Sequence, residues 1–146
     1  MAGAHILLVE DNPDDEELTL LSLRKHGLAS DIVIARDGVE ALDYLFGEGR
    51  YAGRDVSIMP TVVLLDLKLP RLDGLGVLKR VRDDARTRHV PVVVLTSSSQ
   101  DADIVTSYQL GANSYIRKPV EFGELTDTVS KVGLYWMTLN RSPTGN

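Results

Sequence analysis

Short apolar runs alternate with longer amphipathic stretches five times along the chain. Ile6-Leu7-Leu8-Val9, Asp31 to Ala35, Val62-Val63-Leu64-Leu65, Pro91 to Leu95 and Ser114-Tyr115-Ile116 read as strands. The third and fourth are continuously apolar rather than alternating, the mark of parallel strands covered on both faces. Helices are predicted over Asp14 to Lys25, from Asp37 to about Phe46, from Asp73, from about Asp101 to Leu110, and from near Glu121. Pro13 stands near the start of the first and Gly27 just past its end. Its apolar stripe reads Leu18, Leu21, Leu28, with Leu20 and Leu23 beside it. Asp37 and Glu40 have capping-box spacing, and Asp73 reads as the cap of a helix carrying Leu75, Leu78 and Val81. The fourth helix, with Ile104, Val105 and Tyr108, is weakly apolar and should be only partly buried. With right-handed crossovers, five βα units make a doubly wound three-layer α/β sandwich.

Two segments depart from this rhythm. Connections in compact domains usually run ~4–6 residues, so the stretch from Gly47 to Pro60 is either packed for a purpose or mobile, with Tyr51 and Ile58 as candidate anchors. In the last helix Phe122, Leu125, Val129, Val132, Trp136 and Leu139 form one stripe. Its first half should pack on the sheet. Its continuation, with Leu134, Tyr135 and Met137 off the stripe, leaves apolar surface needing a partner. A homodimer through this helix, strand five and the preceding helix (the 4-5-5 face) is therefore expected. Residues 1–139 read as one domain with an extended C-terminal helix, and 140–146 as a polar tail.

Composition narrows the class. A chain of 146 residues with 43% hydrophobic and 25% charged content fits one soluble globular domain. No apolar run approaches the ~20 residues of a membrane span, and no signal peptide is read at Met1 to His5. Cysteine is absent, which excludes disulfides and thiolate metal sites and fits a cytoplasmic protein. Arg71, Lys79, Arg80, Arg82, Arg86 and Arg88 cluster loosely, but a net charge of -5 favours a solvated helix face over a nucleic-acid patch. His5, His26 and His89 share no ligand spacing and are assigned no chemistry.

The chemistry falls at the strand ends. Glu10, Asp11, Asp66, Thr96 and Lys118 each lie at or just past the carboxyl end of a predicted strand, and in an open parallel sheet those ends line one edge. Gathered carboxylates repel, and one takes up a proton unless a cation holds them. Three hard oxygen ligands suit Mg²⁺ better than zinc or copper. The backbone carbonyl of Lys68 is a candidate fourth ligand. One acid can then attack phosphorus while Lys118 and Thr96 contact the phosphoryl oxygens.

In these residues the chain resembles the response-regulator receiver domains, which accept phosphate from a histidine kinase. The carrying motifs are Val9-Glu10-Asp11-Asn12, Leu64-Leu65-Asp66-Leu67-Lys68-Leu69-Pro70 with Asp73-Gly74, Val94-Leu95-Thr96-Ser97, Gly111-Ala112 and Tyr115-Ile116-Arg117-Lys118-Pro119. The resemblance covers roughly residues 4 to 138. It implies a flavodoxin-like sheet of order 2-1-3-4-5 with five helices. It implies Asp66 as phospho-acceptor, with Asp11 and Asp66 binding Mg²⁺ directly, Glu10 through water and Lys68 through its carbonyl. Thr96 and Lys118 would grip the phosphate, Tyr115 would swing inward as Thr96 moves, and the Lys118–Pro119 bond would be cis. The implied partner is a sensor histidine kinase docking on the first helix, with no enzymatic activity beyond self-phosphorylation and self-dephosphorylation.

The chain departs from the common receiver in the 47–60 loop and in Ser97, where many receivers carry Ala or Gly. Ser98 and Lys68 flank the route of water to an acyl phosphate. The long loop, Asn12-Pro13-Asp14-Asp15, Lys79-Arg80-Val81-Arg82 and the C-terminus with Leu139-Asn140 and Pro143 resemble the stand-alone receivers that partner bacterial phytochrome kinases. Two other readings stand beside this one. A pseudo-receiver would keep the fold without the chemistry. A Mg²⁺-dependent aspartyl-phosphate phosphatase would want a second acid two residues after the nucleophile, where Lys68 stands.

Overall fold

The computed structural model describes residues 4–27, 31–119, 121–141 and 143. Five parallel strands, β1 (Ile6–Val9), β2 (Ile32–Ala35), β3 (Val62–Leu65), β4 (Val92–Thr96) and β5 (Ser114–Arg117), form one sheet of order β2-β1-β3-β4-β5. The helices are α1 (Pro13–Lys25), α2 (Gly38–Phe46), α3 (Gly74–Asp83), α4 (Asp101–Gln109) and α5 (Phe122–Leu134). Alternate strand residues feed two cores. Leu7, Val9, Val63, Leu65, Val92 and Val94 pack with Ala41 and Leu45 of α2 and Val77, Leu78 and Val81 of α3. Ile6, Leu8, Val62, Leu64, Val93 and Leu95 pack with Leu23 of α1 and Leu125, Val129 and Val132 of α5. Both faces are covered, which is why these strands carry no polar alternation.

The caps fall where the acids stand. The Asp37 side chain accepts from Glu40 N–H and that of Asp73 from Gly76 N–H. Asn12 caps α1 by accepting from Asp14 and Asp15 N–H. The buried face of α1 differs from the expected stripe. Thr19, Ser22 and Leu23 are buried while Leu21 is 53% exposed; Leu28 lies outside the described residues. Small polar side chains serve here because α1 meets α5 through hydrogen bonds. Ser22 Oγ donates to Thr126 O at 2.7 Å and lies 2.8 Å from Ser130 Oγ.

The 47–60 connection is packed. Tyr51 meets the Tyr44 ring edge-on at 5.0 Å, and the Arg54 guanidinium stacks 4.0 Å above that ring. Arg54 also donates to Tyr44 O and Ile58 O, the former a carbonyl in the last turn of α2. Tyr51 is an anchor as expected. Ile58 is exposed, and its neighbour Met59 is buried in its stead. On the opposite flank Arg82 of α3 donates to the carbonyls of Gly111, Arg88 and Val90 and to Asn113 Oδ1. Gly111, at φ +100, lies against the Arg82 side chain, where a Cβ would come within 3.0 Å. The turn after α4 is thus tied to α3. Of α4 itself only Ser107 is buried, as its weak apolar pattern implies.

After Leu134 the last helix widens into a π-helical turn, Tyr135–Leu139. The extra residue per turn shifts side-chain phase. Trp136 stays against the α1–α5 core with Tyr135 edge-on to it at 5.1 Å. Leu134, Tyr135 and Leu139 are exposed, as is Phe122 at the start of α5. The stripe therefore buries only its middle, and Leu139 does not continue it. Among the described residues no peptide bond is cis, so Lys118–Pro119 takes the trans form that X–Pro bonds ordinarily favour.

Candidate functional site

Parallel register brings the strand ends to one level. Val9 pairs with Leu65 and Leu65 with Val94, so the residues that follow emerge side by side. Asp66 N–H donates to Val9 O at 3.1 Å, and Lys118 N–H donates to Thr96 O at 2.7 Å. Glu10, Asp66, Thr96 and Lys118 are buried, and Asp11 is exposed at the rim. One carboxylate oxygen from each of Glu10, Asp11 and Asp66 lies within 4.8 Å of the others.

Lys118 is the hub. Its Nζ donates to Asp66 Oδ2 at 3.0 Å, to Asp15 Oδ2 at 2.9 Å and to Glu10 Oε1. The two central acids respond differently. Burial pushes the Glu10 carboxyl up to about 7 against the pull of Lys118, and the Asp66 charge adds to the rise. Burial would also raise Asp66, but the Lys118 charge and hydrogen bonds from Lys118, Thr96 and Glu10 hold it below the usual carboxylate range. Burial opposes the charge on Lys118, yet its bonds to Glu10 and the Asp66 charge raise its pKa. At neutral pH Asp66 is the ionised carboxylate of the pair.

The loop after β3 is held from below. Lys68 N–H lies 3.4 Å from Asp66 Oδ1, which puts the Lys68 backbone beside the carboxylate while its side chain is exposed. Gly74 N–H donates to Leu67 O at 2.8 Å. A Cβ on Gly74 would come 2.2 Å from Asp66 O and 2.6 Å from Leu67 Cα. Gly74→Ala is expected to cost about 1–3 kcal/mol through overpacking. Urea unfolding is the check, and an unchanged midpoint would contradict the close approach.

Sequence reasoning placed Glu10, Asp11, Asp66, Thr96 and Lys118 together, and they do converge. Asp15 was missed. An acid in the first turn of a helix ordinarily serves the helix dipole, and Asp14, Asp15 and Glu16 all satisfy that rule. Tyr115 is partly buried against the core on the α2–α3 side of the sheet, and its hydroxyl donates to Ser98 O at 2.9 Å.

Four carboxylates gather here, three of them bonded to one lysine, an excess of hard oxygen ligands that suits Mg²⁺. Residues 6–130 match the response regulator receiver domain, and the chain belongs to that family. It is 44% identical over 139 residues to the probable methanogenesis regulatory protein FilR2 of Methanothrix harundinacea, covering 94% of this chain and 86% of FilR2. Response regulator Rcp1 of Synechocystis is 35% identical over 132 residues, 90% of this chain and 88% of Rcp1. The Mn²⁺-bound form of Rcp1 superposes with a TM-score of 0.89, covering 96% of this chain and 99% of that one. The phosphorylated cyanobacterial phytochrome response regulator RcpA gives a TM-score of 0.89 at 37% identity, covering 96% of this chain and 98% of RcpA. The chain is thus a two-component receiver that resembles phytochrome response regulators, and its acidic cluster offers the ligands a Mg²⁺ ion takes.

The raised Glu10 carboxyl makes metal affinity pH-dependent. Below about pH 7 a proton must leave Glu10 before the site is fully charged, so affinity should fall by up to about tenfold per pH unit as pH drops. Titration calorimetry between pH 8 and 6 is the check. A flat affinity would mean that Glu10 is already ionised when the metal arrives.

Proposed function

We propose that this protein receives a phosphoryl group on Asp66 from the phosphohistidine of a sensor kinase, in a Mg²⁺-dependent reaction. The observation that carries the reading is Asp66 itself: an ionised carboxylate, 7% exposed, held by Lys118 at 3.0 Å beside the acidic cluster. An Asp66 carboxylate oxygen forms the new O–P bond, the P–N bond to the imidazole breaks, and its electron pair leaves with the histidine. Asp11 and Asp66 would hold Mg²⁺ directly, with Glu10 acting through water and Lys68 through its carbonyl, and the ion would supply positive charge for the phosphoryl oxygens. Lys118 supplies the second positive charge and Thr96 a hydroxyl donor. Tyr115 then registers the position of Thr96. The protein turns over no substrate of its own and works in the cytoplasm.

The kinase, of the bacterial phytochrome type, docks over α1. There Leu21 and Phe122 flank a groove of about 580 Å³ between α1 and α5. Output runs through the other side. Exposed Val105 and Tyr108 on α4, with Leu134, Tyr135 and Leu139, form the apolar surface of a homodimer on the 4-5-5 face. The working unit is residues 1–139, with 140–146 as its polar tail. Incubation with acetyl phosphate or an autophosphorylated kinase, with and without Mg²⁺, tests the reading. Metal-dependent, acid-stable and base-labile label is expected, with an elution volume by size exclusion that corresponds to two chains. Absence of label from every donor would leave a pseudo-receiver.

A further inference from the structure

The β4–α4 loop carries a hydrogen-bonded chain that the phosphoryl chemistry does not require. Ser98, two residues past Thr96, is buried and uses every polar group it has. Its N–H donates to Thr96 Oγ1 at 3.4 Å. Its carbonyl accepts from Tyr115 OH at 2.9 Å. Its hydroxyl donates to Asp103 Oδ2 at 2.5 Å and accepts from Gln100 N–H at 3.3 Å. Asp103 stands in the first turn of α4, facing back across the loop. The bond it accepts is short and charge-assisted, the stronger class.

The consequence follows from connectivity. The carbonyl that receives Tyr115 and the N–H that reaches Thr96 belong to one residue, and that residue is fastened to α4 by Asp103. With the fastening in place, Ser98 presents its carbonyl to an inward Tyr115. Without it, the loop must find that geometry unaided. We propose that Asp103 is a positioning residue for the switch: by accepting from Ser98 Oγ it holds the loop in the form that receives Tyr115. It therefore sets how far the inward state is populated before any phosphoryl group arrives. A residue that favours the inward state must favour phosphoryl binding by the same factor, because the coupling is reciprocal. The proposal rests on the proposed Tyr115 switch, and on the Asp66 reading only for that second effect.

The test uses the full chain with 3-fluorotyrosine in place of tyrosine, the Tyr115 resonance being assigned with Tyr115→Phe. In Ser98→Ala and in Asp103→Ala the ratio of inward to outward Tyr115 should fall about tenfold, the size of one charge-assisted hydrogen bond. The double variant should lose no more than Ser98→Ala alone, because that change already removes the bond to Asp103 along with the one from Gln100. The half-saturating concentration of beryllofluoride, a phosphoryl mimic, should rise about tenfold with Mg²⁺ affinity unchanged. An unmoved Tyr115 resonance in either variant whose circular dichroism matches the parent overturns the proposal, as do losses that add in the double variant. Should Asp103→Ala fail to fold, Ser98→Ala decides alone, since it keeps every side chain in the first turn of α4. Failure of beryllofluoride to bind the parent would count against Asp66 as the phosphoryl site, and the fluorine spectra would still decide the role of Asp103.

Discussion

Asp66→Asn is expected to abolish phosphoryl uptake completely while the protein stays folded. The amide has the shape of the carboxylate and keeps an oxygen for Lys118, whose other bonds to Glu10 and Asp15 are untouched. What it loses is the electron pair that attacks phosphorus. Stability should hold within about 1 kcal/mol, because the substitution also removes a like charge from Glu10. The same change should let the Glu10 carboxyl fall from its raised value, since the Asp66 charge contributes to the rise. Radiolabelling from a phospho-kinase, with urea unfolding in parallel, is the measurement. Full labelling of a folded Asp66→Asn would falsify the assignment of Asp66 as acceptor.

Lys118→Met is expected to have the largest effect on stability. Lys118 Nζ sits among three carboxylates with only 6% of its side chain exposed. Removing it leaves Glu10 and Asp66 buried against each other with no cation, a loss of roughly 3–5 kcal/mol for a broken buried ion pair. The loss should be greatest at pH 8 without metal. It should shrink near pH 5, where protonation of Glu10 removes a charge, and shrink again in Mg²⁺. The sign follows from Glu10: its raised carboxyl holds its proton at low pH, so its charge is added to that of Asp66 only as pH rises through about 7. Urea midpoints at two pH values, with and without Mg²⁺, decide it. A variant as stable as its parent at pH 8 without metal would mean that water, not Lys118, balances these acids.

The sheet was legible in the sequence because doubly covered strands are contiguous apolar runs, and Ile6 to Val9 or Val62 to Leu65 admit few other readings. Acids and hydroxyls at the ends of such runs then converge by topology alone, which is why Glu10, Asp66, Thr96 and Lys118 were found without coordinates. What stayed hidden shares one cause: the contact carries no periodic signal. Beside Leu23 the buried face of α1 is Thr19 and Ser22, polar residues that look like surface in a hydropathy pattern, and Ser22 hydrogen-bonds to α5. Asp15 was masked by the helix-dipole role that any first-turn acid fills. Ser98 and Asp103 face each other across a loop–helix boundary, where neither strand nor helix spacing applies. The last helix misled for the opposite reason: a regular stripe continued in the sequence past the point where the π-turn changed its phase.

The bonds of Arg82 give α4 a mechanical asymmetry. Its C-terminal end is fixed, because Gly111 and Asn113 are tied to α3 by the guanidinium. Its N-terminal end is fastened to the loop through Asp103. A rearrangement of the β4–α4 loop would then turn the helix about the Arg82 end, as a lever about a fulcrum. Nine residues make an arm of roughly 13 Å, so a tilt of about 10° carries the far tip roughly 2 Å. A partner reading this helix gains the most travel at Asp101 and almost none at Gln109.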